Sequence, residues 1–173
     1  GARELHMNLT SRLIKSLNSI DADIQIWTDV DTKNRFLTDM GRPVFQQSGK
    51  NLGEKMANAI IQGLLSYEKV ALVGTDVPEI DASYLTEAFN ALDSHSVVIG
   101  PVTDGGFGLI AARAFHESIF EGVEWGGSNV VRRIVENMDE AALSYIMSKT
   151  LWDVDLPIDY VRYQEWLDQT KLN

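Results

Sequence analysis

The stretch Val70-Ala-Leu-Val-Gly-Thr-Asp-Val-Pro78 decides how this chain is read. Four consecutive apolar residues are the mark of a short strand buried on both faces of a parallel sheet. Gly74, Thr75 and Asp76 then end the strand, and Pro78 stops any continuation. In open α/β sheets ligands bind beyond the carboxyl ends of the strands, which is where Asp76 stands. The alternative is an Asp that closes a strand-to-helix turn through its own backbone bonds.

Outward from this strand the chain alternates helical and extended patterns. Leu5, Leu9, Leu13 and Leu17, with Ile14 and Ile20, form one apolar helical stripe. Ile24, Ile26, Thr28 and Val30 alternate as in a strand, and Val44–Gln46 is a short strand between Pro43 and Gly49. Asn51 and Glu54 have capping-box spacing ahead of Ala57, Ile60, Ile61, Leu64 and Leu65. Asp81 caps a helix carrying Leu85, Ala88, Phe89 and Leu92. Val97–Ile99 and Leu109–Ala112 are two further strands. Ser128 can cap a helix with Val130, Val131, Ile134, Val135 and Met138, and Pro157 opens a last one. The aromatic face of that last helix (Tyr160, Tyr163, Trp166) is expected on its own sheet. Helices alternating with short apolar strands predict an α/β fold, a three-layer α/β/α sandwich, as one domain over residues 1–173.

Composition narrows the function. With 173 residues, 45% of them apolar and 23% charged, the chain can bury a core without staples. A formal charge of −10 argues against a nucleic-acid partner, since neutralising phosphates needs a basic face. Any phosphate-bearing ligand must then be met by bound cations or a local group of Lys and Arg. There is no cysteine, and no apolar run of about 18 residues to span a membrane. No secretory signal is visible, so a cytoplasmic location is expected.

Four more segments carry candidate chemistry. Gly100-Pro-Val-Thr-Asp104-Gly105-Gly106 lies between two strands, and its glycines permit either close ligand approach or a tight turn. Asp153 and Asp155, at i and i+2 on an extended stretch, point to one side and can share a cation. Asp155 can equally cap the Pro157 helix, with Asp159 favoured by the helix dipole. Gln47-Ser-Gly49-Lys50, with Lys55, offers donors near a helix N-terminus, a natural anion site. Trp125-Gly-Gly-Ser128 opens another helix, and Ser128 either donates to a phosphate or only caps. His6, His95 and His116 show no ligand spacing and read as surface or core histidines. Asp76, Asp104 and the Asp153/Asp155 pair all follow strands, so they are expected to share one cleft. Close carboxylates repel unless a cation joins them, and oxygen-only ligation selects Mg2+ or Mn2+.

The order of Gln47-x-Gly49-x-x-Leu52-Gly53-Glu54-x-Met56, Gly74-Thr75-Asp76-x-Pro78, Gly100-Pro101-x-x-Asp104-Gly105-Gly106, Trp125-Gly126 and Asp153-Val154-Asp155-x-Pro157-x-Asp159 resembles the DUF2064 family. The resemblance runs from about Gly1 to Leu167. It implies the GT-A, nucleotide-diphospho-sugar transferase type of fold, with a mostly parallel central sheet. It further implies a glycosyltransferase using a nucleotide-diphosphate sugar and a small-molecule acceptor, akin to nucleotidyltransferases acting on molybdopterin or phospholactate. By that similarity Asp76 and Asp104 are catalytic, and Asp76, Asp104, Asp153 and Asp155 are the metal or phosphate positions. Gln47, Gly49, Lys50, Gly74, Thr75, Gly105, Gly106, Trp125 and Ser128 fall on the substrate side. Family members begin with a central strand and a basic nucleotide loop, whereas this chain opens in the following helix. The N-terminal strand is therefore expected to be missing here, with nucleotide binding impaired. A nucleotidyltransferase, or a binding domain without catalysis, is the alternative reading.

Overall fold

The computed structural model describes residues 1–171. In chain order the elements are α1 (Ala2–Ser16), β1 (Ile26–Thr28), α2 (Arg35–Thr38), β2 (Val44–Gln46), α3 (Leu52–Leu64), β3 (Val70–Val73) and α4 (Ala82–Ala91). They continue with β4 (Val97–Pro101), β5 (Phe107–Ala112), a 3-10 turn at Glu117–Phe120, α5 (Val130–Glu140), β6 (Tyr145–Met147) and α6 (Pro157–Thr170).

A four-stranded sheet is ordered β3-β5-β4-β6, and β1 and β2 form a separate parallel pair. β5 runs against both β3 and β4, while β4 and β6 are parallel, so β3, β4 and β6 share one direction. No ladder joins β1 to β3 among the described residues. Side chains alternate across the sheet with a period of two. Val98, Leu109 and Ala111 meet Leu13 of α1, Leu17 just after it, and Tyr84, Leu85 and Ala88 of α4. Val97, Ile99, Ile110 and Ala112 meet Ala57 and Ile60 of α3 and Val130, Ile134 and Met138 of α5. Helices therefore cover both faces, giving three layers. Each fully buried Ile or Leu in these layers contributes about 1.5–3 kcal/mol by leaving water. No helix among the described residues is long and apolar enough to cross a membrane.

Several local expectations change. Val70–Val73 is half-buried, not fully buried, because β3 pairs with a single antiparallel neighbour at the sheet edge. The strand expected from Ile24 to Val30 shrinks to three residues, and Ile24 packs on the core instead. β6 has no clear sequence signal, being three residues long and exposed along much of its length. Asn51 and Asp81 cap α3 and α4 as expected, accepting from Glu54 N and Tyr84 N. The N-cap of α5, however, is Asn129 and not Ser128. The N-cap of α6 is Leu156 and not Asp155, and Asp159 reaches back to accept from the Leu156 N–H at 2.7 Å. Tyr163 and Trp166 pack on Leu9 of α1 and on Trp152, not on the sheet, and Tyr160 stays exposed. Arg12 lies over the Trp166 ring at 4.3 Å and Arg162 over Trp152 at 4.2 Å, which locks α6 against α1 and the 151–154 stretch.

Candidate functional site at the acidic sheet edge

Because β3, β4 and β6 point the same way, the loops after them gather on one edge. The first loop leaves β3 through Gly74, whose N–H donates to the Gly108 carbonyl at 2.9 Å. Asp76 folds back over this glycine, so that a Cβ there would lie 2.7 Å from Asp76 Oδ1. Behind it Val77 and Ile80 are buried and anchor the loop, leaving the Asp76 side chain open.

The second loop follows β4. Val102 N donates to the Gly106 carbonyl, and Gly106 N donates to Asp104 Oδ1 at 2.8 Å. One oxygen of Asp104 thus closes the turn, as the turn reading required, and the carboxylate remains exposed. The third segment follows β6. Leu151 and Trp152 are buried, and Leu151 pairs with the β4 loop through Leu151 N to Pro101 O and Thr103 N to Leu151 O. Val154 N then donates to the Asp76 carbonyl at 2.9 Å. This bond pins the residue between Asp153 and Asp155 directly to the β3 loop, so all three strand ends are stitched together.

Electrostatics report the same convergence. The Asp153 carboxyl is pushed up to about 6 by burial first, then by Asp104, with Asp76 and Asp155 adding. Asp76 is likewise raised, by burial first and by repulsion from Asp155 and Asp104, against the opposing effects of its backbone hydrogen bond and of His6. Asp76 is open to solvent, so water relieves much of that desolvation and the repulsion is the more durable contribution. The donor set is all oxygen, which fits a hard divalent cation. Among the described residues no three His, Asp or Glu side chains stand close enough to enclose an ion. Mg2+ characteristically takes one or two carboxylates and completes its shell with water and substrate phosphates, so such a site is not required to be an all-protein cage.

The remaining predicted residues form an arc joined by packing. Gly105 has φ +95°, and a Cβ there would lie 2.0 Å from the Ser128 carbonyl oxygen. Val131 N donates to the Gly105 carbonyl at 3.0 Å, which seats the start of α5 on the glycine turn. Trp125 lies against Gly53, where an added Cβ would sit 2.9 Å from its Nε1, and it meets Phe107 and Phe120 edge-on. Gly49, with φ +141°, closes onto the first turn of α3. Gln47 is tied to β1 through its N–H to Thr28 O and its side chain to Trp27 O. Lys50 N donates to Glu54 Oε2 at 2.7 Å, and Lys55 pairs with Asp29 at 3.6 Å. No hydrogen bond or ion pair joins residues 47–50 to the aspartates among the described residues; Trp125 packs on Gly53 of α3, and Ser128, three residues on in the chain, packs on Gly105.

One residue at this edge has no local sequence signal. His6 Nε2 lies 3.4 Å from Thr75 Oγ1, and its charge acts on Asp76. Expected only as a surface or core histidine, it is an exposed residue of α1 in line with buried Thr10, Leu13 and Leu17. That stripe is core until α1 passes the end of β3, where the imidazole takes over.

A mixed sheet between two helical layers, with acidic loops on the carboxyl edge, defines an α/β fold of the nucleotide-diphospho-sugar transferase type. The chain belongs to the DUF2064 family, described as an uncharacterized protein conserved in bacteria, whose model matches residues 13–127. A "putative nucleotide-diphospho-sugar transferase" from Desulfovibrio desulfuricans G20 is 29% identical, with TM-score 0.81 over 88% of this chain and 69% of that one. CMP:2-keto-3-deoxy-manno-octonic acid synthetase complexed with CTP shares the fold at 8% identity and TM-score 0.66, covering 94% of this chain and 88% of that one. Glucosyl-3-phosphoglycerate synthase from Mycobacterium tuberculosis, in complex with Mg2+ and UDP, shares it at 10% identity and TM-score 0.58, covering 90% and 70%. No protein of curated function matches the chain.

Proposed function

We propose that this protein is a transferase that takes a nucleotide-diphosphate sugar at the acidic edge and passes the sugar to a small-molecule acceptor with the help of Mg2+ or Mn2+. The observation that carries the reading is the stitching of three strand-end loops, which sets Asp104 and Asp155 beside Asp76 and Asp153 so that their charges add to burial in raising the proton affinity of those two carboxyls. Its support from outside the chain is the Desulfovibrio relative, and the folds of the CTP- and UDP-bound enzymes are compatible with it.

Asp76 and Asp155 would hold the cation, with Asp104 and Asp153 assisting in metal or substrate contact. A divalent ion there supplies Lewis-acid stabilisation of the diphosphate leaving group. Without a cation the Asp153 carboxyl lies at about 6, and a divalent ion bound beside it would hold it ionised. Gly105 and Gly106 bring backbone close enough to line the sugar or acceptor side, and the exposed Lys50 at the start of α3 meets an anion there.

The test incubates the protein and its Asp76→Asn variant with Mn2+ and a panel of sugar nucleotides and nucleoside triphosphates. Release of a nucleoside diphosphate supports glycosyl transfer, and release of pyrophosphate transfers the reading to nucleotidyl chemistry. Neither product, together with no ligand-dependent rise in melting temperature, leaves a binding domain and ends the transferase reading.

A further inference from the structure

We propose that His6 is a substrate-contacting residue of the acidic edge, donating from its imidazole to an anionic oxygen of the bound diphosphate or phosphate group. The proposal rests on the transferase reading above. At 3.4 Å the Thr75 contact is near the limit of a hydrogen bond, so it leaves the ring free to make a better one. Thr75 is the only hydrogen-bond partner of the ring among the described residues, and the side chain is exposed. A purely structural role is poorly served by a long contact from an exposed ring.

The electrostatic setting gives the ring its task. Four carboxylates repel any polyanion that approaches them, and a donor of opposite character must stand beside them. Among the described residues, His6 is the basic side chain whose charge opposes the raised proton affinity of Asp76. Lys55 is paired with Asp29, Arg12 lies over Trp166 and Arg162 over Trp152, while the exposed Lys50 stands at the start of α3 and not on α1. His6 is delivered from a separate element, on the inner stripe of α1 where the helix leaves the core. Packing of Leu13 and Leu17 against the α4 layer holds that helix in place.

Calorimetric titration tests the assignment on wild type, His6→Ala, His6→Gln and Asp76→Asn, with UDP, GDP, CDP, ADP and inorganic pyrophosphate as probes in the presence of Mn2+, and with Mn2+ alone. Removing a hydrogen bond to a charged group is expected to weaken the best-bound probe about tenfold in His6→Ala. His6→Gln, which keeps an N–H donor, is expected to recover part of that loss, and Mn2+ binding alone to stay unchanged in both. Equal probe affinity in wild type and His6→Ala overturns the proposal while leaving the transferase reading intact. Weakened binding of Mn2+ alone in His6→Ala also overturns it, in favour of a metal ligand. A wild type that binds none of the probes overturns both.

Discussion

Replacing Asp153 by Asn removes the group on which the crowding at the acidic edge falls most heavily. Its carboxyl moves from 3.8 to about 6, through burial first and then the charges of Asp104, Asp76 and Asp155. If fully felt in stability, that displacement corresponds to roughly 3 kcal/mol, at about 1.36 kcal/mol for each pH unit. Asp153 is only half-buried, and solvent screening reduces the figure to about 1 kcal/mol. The sign follows from proton linkage: between pH 4 and 6 the folded protein holds a proton that the unfolded chain has released, so stability falls as pH rises through this window. Above it the ionised carboxylate carries the whole penalty. Asp153→Asn is therefore expected to melt higher than wild type at pH 8 in EDTA, by about 2–4 °C for a domain of this size. The gap should close as the pH approaches 4, and added Mn2+ should narrow it by stabilising the wild type. Thermal unfolding by circular dichroism across pH 4–8 measures this. An Asp153→Asn variant that melts lower than wild type at pH 8, or a gap independent of pH, refutes the claim of mutual repulsion.

Three further outcomes are expected. Gly105→Ala forces a side chain into a positive-φ position 2.0 Å from the Ser128 carbonyl, and should cost about 3 kcal/mol in urea unfolding; near-wild-type stability would show that the α5 seat is loose. Asp159→Ala removes the acceptor for the Asp155 and Leu156 N–H groups and should cost about 1 kcal/mol, lowering the melting temperature by a few degrees. Ile99→Ala opens a cavity beside Ile110 and Ile134, where no side chain is exposed, and should cost about 2–5 kcal/mol by the same unfolding measurement.

Much of the fold was legible because its signals are local. Val70–Val73, Val44–Gln46 and the caps Asn51 and Asp81 announce themselves within a few residues, through apolar runs and side chains that reach their own backbone. The caps at Ser128 and Asp155 misled for the same reason in reverse. A capping residue type is common, but which one caps depends on where the chain enters the helix, and that is set by the Gly105 seat and the Val154 bond to Asp76. β6 was illegible because three half-exposed residues carry too little pattern, and its parallel partner β4 supplies the order.

The acidic residues divide in the same way. From the sequence by itself came their identity, their oxygen-only chemistry and their position after strand-like runs, because residue type and short-range periodicity are written along the chain. Only the tertiary structure decided that β5 reverses while β3, β4 and β6 share a direction, so that three distant loops meet. It also decided that Val154 hydrogen-bonds to Asp76, and that α1 carries His6 to the same edge. Strand direction and helix docking follow from burying both faces of the whole sheet at once, a condition that no single segment contains.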